Sequence, residues 1–144
     1  MMSNPIVPEL AVTDWLISKQ FYCSTLEFEV LYERPEEGFA YLRYEEVEIM
    51  IDQIGLGRTF GNEYLPTQQP FGKGLNLQIR ISSITPLAAA LSKQSYDLYL
   101  PVEERWYRRD DTEIGQRQFV VADPDGYLLR FCDDLGVRPI ARID

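Results

Sequence analysis

With 144 residues, 45% hydrophobic and 12% aromatic, the chain has the length and apolar content for one packed domain and is not a disordered composition. Its formal net charge of −9 at pH 7 repels a phosphate backbone, which argues against nucleic acid as a partner and suits solubility or a cationic ligand. It has no histidine, which excludes triads that need an imidazole and zinc sites built on one.

Taken in chain order, the start "MMSNPIVPEL" has no basic region followed by a long apolar stretch, and no apolar run approaches the roughly 18–20 residues of a membrane span. A cytoplasmic protein without a membrane partner is expected. "IVPELAV" (Ile6–Val12) reads as a strand. Asp14 is placed to cap a helix carrying Trp15, Phe21, Tyr22 and Leu26. "FEVLYER" (Phe28–Arg34) alternates like a strand. "FAYLRY" (Phe39–Tyr44) and "VEIMID" (Val47–Asp52) predict a hairpin turning at Glu45–Glu46. Residues 53–74 follow as a long irregular segment rich in Gly, Pro, Gln and aromatics, a length that is usually functional or a linker. Its glycines, "GLGRTFG" (Gly55–Gly61), lack the lysine and the strand–helix context of a phosphate loop.

The pattern then starts again. "LNLQIRI" (Leu75–Ile81) alternates strictly. "ITPLAAALSKQ" (Ile84–Gln94) reads as a helix with Pro86 in its first turn. "DLYLPVE" (Asp97–Glu103) reads as a strand, Glu104–Gly115 as a polar segment, and "RQFVVA" (Arg117–Ala122) and "YLLRFC" (Tyr127–Cys132) as the last two strands. Between these two, "ADPDG" predicts a turn, with Pro124 and Asp125 at its centre, Gly126 as the left-handed residue and Asp123 accepting backbone hydrogen bonds. The two aspartates therefore read as structural, not catalytic. Cys23 and Cys132 are too far apart for a CxxC pair and read as two separate thiols. Each half reads strand, helix, then three strands, a structural repeat with little residue identity.

"FVVADPDGYLLRF" near the end, with "PELAVTDWLISKQFYCSTLEFEV" near the start, resembles the vicinal-oxygen-chelate superfamily of glyoxalases, extradiol dioxygenases and antibiotic-resistance proteins. The resemblance implies an α+β fold of two βαβββ modules, residues 5–52 and 75–134 joined by 53–74, in one domain over 1–144. It also implies curled mixed sheets forming a cup, and a homodimer. Alternation turns Glu48, Met50 and Asp52, with Asn76, Gln78 and Arg80, and with Arg130 and Cys132, to the face away from the helices. Val7, Glu9 and Ala11 share that face. The superfamily's enzymes hold a metal at four positions that here resemble Val7, Met50, Asn76 and Arg130, a set unsuited to a divalent ion.

The chain is thus most similar to bleomycin-resistance proteins, which sequester a drug without altering it. That resemblance implies no catalytic residue, no metal and no cofactor. The partner is a flat, cationic, glycopeptide-type antibiotic or similar small molecule in a dimer-interface groove. Trp106 and Tyr107, amid Glu103, Glu104, Asp110, Asp111 and Glu113, are the candidates for stacking on it. Phe60, Tyr64 and Phe71 are candidates for the groove wall, and the carboxylates near Trp106 for holding its cation, while Glu48 and Asp52 are ligand-binding candidates on the cup face that could instead pair with Arg130. Asn76, Arg80 and Arg130 face the cup, where the arginines suit an anionic or carbonyl-bearing molecule better. Two alternatives stay open. One is a lyase- or dioxygenase-type enzyme binding metal through Glu48, Asp52 and Glu9. The other is a module for a different metabolite.

Overall fold

The computed structural model describes residues 3–57 and 60–140. Arg58 and Thr59, within the glycine-bearing loop, fall outside the described residues. The chain divides into two compact units, Met1–Leu75 with Ala122–Leu128, and Asn76–Val121 with Leu129–Asp144.

In the first unit, strand β1 (Glu9–Val12) leads into helix α1 (Trp15–Lys19), which continues as π-helical turns over Gln20–Thr25. Asp14 caps α1 as expected, its carboxylate accepting from Leu16 and Ile17 N–H at 3.0 and 3.3 Å. Strands β2 (Glu29–Arg34), β3 (Phe39–Tyr44) and β4 (Val47–Gln53) follow. The sheet order is β1-β4-β3-β2, with β1 parallel to β4 and the other pairs antiparallel. A helix must return the chain before a parallel partner can pair, which is the work of the α1 segment. Leu10, Val12, Ala40, Leu42, Ile49 and Ile51 are buried on the face against which α1 packs. The helical segment adds Trp15, Phe21, Tyr22 and Leu26 to this core.

The second unit repeats the plan with β5 (Asn76–Arg80), α2 (Thr85–Lys93), β6 (Leu100–Arg109), β7 (Thr112–Ala122) and β8 (Leu128–Pro139), in the order β5-β8-β7-β6. Ile79, Leu87, Leu91, Phe119, Leu129 and Phe131 form its core. Asp133 joins the helix to the sheet. It accepts from Ile84 N–H at 2.8 Å and from two Arg117 nitrogens at 3.0 and 2.7 Å. Burial pushes this carboxyl up, but the Arg117 and Ile84 donors outweigh it and hold the group below its ordinary value. Asp133→Ala leaves a buried N–H and a guanidinium unpaired. It should cost roughly 2–3 kcal/mol in urea unfolding at pH 7. The difference from the native chain should shrink as pH falls below the ordinary carboxylate range, where the native Asp133 becomes protonated.

Two expectations need correction. The polar segment 104–115 is not irregular: β6 continues to Arg109, turns at Asp110–Asp111 and returns as β7 from Thr112. Charges on both faces of that hairpin hide the period of two, and Asp110 supplies the positive φ, 56°, that the turn requires. The final strand runs on to Pro139. The α+β class and the two βαβββ modules are as expected. Cys23 and Cys132 are both free thiols. Among the described residues no helix is long and apolar enough to cross a membrane.

Candidate functional site

A pocket of about 210 Å³ opens in the first unit, lined by Glu9, Ala11, Asp52, Gln53, Ile54, Phe60, Tyr64, Leu65, Pro66 and Tyr127. The parallel register makes it. Glu9 lies opposite Met50, and Ala11 opposite Asp52, so Glu9 and Asp52 share one face of neighbouring strands. Burial pushes the Asp52 carboxyl up to about 6, and the charge of Glu9 and a side-chain hydrogen bond with it push the same way. A carboxylate pair that retains a proton this readily is a ready site for a cation, which replaces the proton.

The loop supplies the apolar wall. Phe60 is 64% exposed and Tyr64 79% exposed, so both rings stand free to meet a ligand. Tyr127 donates its hydroxyl to Ala11 C=O at 2.9 Å, and burial pushes that phenol up to about 12. It therefore stays neutral and fixed at physiological pH.

The pocket thus brings Asp52, Phe60 and Tyr64 together and leaves out two other candidates of the same unit. Phe71 is buried and meets the Tyr127 ring edge-on at 6.0 Å. It is packing beneath the pocket and not part of its wall. Glu48 is buried as well, accepting from Asn4 N–H and Tyr41 O–H, both at 2.8 Å. Those donors hold its carboxyl below its ordinary value and leave it spoken for. Glu9, expected only as a metal-binding carboxylate of the alternative reading, joins the pocket, and Tyr127 is the member that the sequence did not suggest.

In the second unit, Trp106 and Tyr107 are consecutive on β6 and point to opposite faces, so one ligand cannot stack on both. The Trp106 ring lies over Gly115, its cross-strand partner. Its Nε1 donates to Glu104 at 3.1 Å. The Arg138 guanidinium sits 4.0 Å from the ring centroid and is itself paired with Glu113 at 3.1 Å. The stacking partner expected from a ligand is thus supplied by the chain. The Tyr107 hydroxyl accepts from Gln118 Nε2 at 2.8 Å, and the same nitrogen reaches Glu103 at 2.8 Å. A Cβ on Gly115 would stand 2.6 Å from the Trp106 ring. Gly115→Ala should therefore displace the indole and cost roughly 1–3 kcal/mol. The check is an altered near-UV circular dichroism band together with the shift in unfolding midpoint.

Asn76 and Arg80 on β5, and Arg130 on β8, lie on the strand faces opposite buried Ile79 and Phe131. Val7, Met50, Asn76 and Arg130, which the resemblance puts at the superfamily's metal positions, are a donor set that does not fit a divalent cation. Among the described residues no group of three or more His, Cys, Asp or Glu is placed to hold one.

No protein-family model and no curated protein matches the chain. Solved structures do. TioX from Micromonospora sp. ML1 superposes with a TM-score of 0.71 at 20% identity, over 92% of this chain and 100% of that one. A glyoxalase/bleomycin resistance protein/dioxygenase from Alicyclobacillus acidocaldarius gives 0.56 at 16% identity, over 93% and 96%. These two show the shared fold. A glyoxalase/bleomycin resistance protein/dioxygenase superfamily member from Vibrio splendidus 12B01 is 36% identical over 89% of this chain and 97% of that one, with a TM-score of 0.41. The chain thus has the glyoxalase/bleomycin resistance protein/dioxygenase fold.

Proposed function

We propose that the protein sequesters a flat, cationic small molecule of the bleomycin type without altering it, as a homodimer. The observation that carries the reading is the Glu9–Asp52 pair beneath Phe60, Tyr64 and Tyr127 in one pocket. The carboxylates suit a cation and the exposed rings suit a flat heteroaromatic face. A volume of about 210 Å³ takes one ring with its charged tail. The remainder of a glycopeptide would lie outside the pocket, in the groove that a second subunit would complete.

The test is calorimetric titration with metal-free bleomycin, followed by recovery of the ligand. Saturable binding with unmodified ligand is expected. Asp52→Asn and Tyr64→Ala should each weaken it about ten-fold or more. The pH dependence has a definite sign. A cation prefers the ionised carboxylate, and the Asp52 carboxyl titrates at about 6, so affinity should rise from pH 5 to pH 7. In Asp52→Asn that rise should vanish. Recovery of modified ligand, or binding indifferent to both substitutions, would overturn the reading.

A further inference from the structure

We infer that the polar face of the second unit's sheet binds a small oxyanion, a carboxylate or phosphate group, through the guanidinium of Arg130 with Arg80 beside it. This goes beyond the cation pocket and uses none of its residues. β5 and β8 are neighbours in the sheet. Ile79 of β5 and Ile81 just beyond it, with Leu129 and Phe131 of β8, are buried, so alternation puts Arg80 and Arg130 together on the opposite face. Both charges act on Cys132, countering the upward push of burial on its thiol, which fits that placement.

Arg130 Nε is buried without a hydrogen-bond partner among the described residues. Among the described residues neither Arg80 nor Arg130 forms an ion pair. Of the acids that share their face, Glu103 takes a hydrogen bond from Gln118 and Asp134 one from Gly136 N–H. A buried guanidinium N–H left unpaired is costly, so the missing acceptor is sought outside the chain. The guanidinium presents a planar fork that matches a carboxylate or phosphate. Gln78 lies on the same face and touches Gln116 only at 3.4 Å, which leaves its amide to a ligand.

The net charge of −9 keeps polyanions away. A small anion within a Debye length, about 8 Å at physiological salt, meets the arginines first.

The experiment is a proton–nitrogen correlation spectrum of the arginine Nε–H groups in the full chain. Sodium phosphate, sodium benzoate and, at matched ionic strength, sodium chloride are added in turn. The Arg130 signal should move downfield and saturate with an oxyanion and not with chloride. Saturation with benzoate alone would make the ligand a carboxylate, and with phosphate alone a phosphate. With the Gln78 side-chain amide as reporter, Arg130→Gln should weaken binding about ten-fold or more and Arg130→Lys, which keeps charge without the fork, by less. Asp52→Asn should bind the anion like the native chain, so failure of the cation reading leaves this one standing. No oxyanion shift, an equal shift with chloride, or native-like binding by Arg130→Gln would overturn it.

Discussion

Asp123→Ala should cost roughly 3–5 kcal/mol. The carboxylate is 3% exposed. It accepts from Tyr22 O–H at 2.7 Å, from Asp125 N–H at 3.0 Å and from Tyr127 N–H at 2.9 Å. Alanine strands all three donors away from water. Asp123→Asn behaves differently. Its amide oxygen keeps the two backbone donors, and its NH₂ faces the Tyr22 hydroxyl, which can accept. Little stability should be lost at pH 7.

The asparagine variant also isolates the titration. Burial pushes the Asp123 carboxyl up to about 6, against the three donors that pull it down. Between the unfolded value, near 4, and the folded value, the native state binds more protons than the unfolded state. Stability from this group is therefore present below pH 4 and lost as pH rises through 6, up to about 3 kcal/mol in all. Relative to Asp123→Asn, the native chain should weaken from pH 4 to pH 6 and run parallel above that. Urea unfolding of both chains across that range checks it. A constant difference would show that Asp123 titrates at its ordinary value.

Gly126→Ala is the second large effect. The residue has φ +96°, and an added Cβ would lie 2.6 Å from Pro70 Cβ and 2.7 Å from Pro70 Cα. A left-handed alanine costs about 1–2 kcal/mol from strain alone. The contact with backbone adds to this, because Phe71 N–H bonds Asp125 C=O at 2.8 Å and resists separation. A total of about 3 kcal/mol is expected. Gly136 provides the control. It has the same φ of +96° with nothing within 4 Å of its Cβ position. Gly136→Ala should thus show the strain alone, and the difference between the two unfolding midpoints measures the contact.

Local period and turn chemistry were legible in the sequence. The alternation of Val47–Asp52 and Leu75–Ile81 placed Ile49, Ile51, Ile79 and Ile81 in the cores. The Asp-Pro-Asp-Gly stretch announced its own turn, and Asp14 its helix. What escaped depends on which distant segments meet. Tyr127 joins Glu9 and Asp52 in the pocket only because residues 122–128 return to the first unit, and nothing in the sequence around it specifies that contact. Trp106 was legible as an aromatic among charges. That Gly115 lies beneath it and Arg138 above it follows from the course of β6, β7 and β8, and the parts of β6 and β7 within 104–115 were hidden by charges on both faces. Phe71 and Glu48 went astray for one reason: their covers, Tyr127 and Asn4, are remote in sequence.

Residues 122–128 are counted with the first unit although the strands on either side of them are not. Thr13 donates to Asp125 twice, Gln69 once, and Tyr22 to Asp123. During synthesis, then, the opening 75 residues emerge with these donors waiting for acceptors that are some fifty residues from being made. The first half of the chain is consequently a poor choice for expression as a separate fragment. A stop codon placed anywhere before the Asp-Pro-Asp-Gly stretch would harm both ends of the protein.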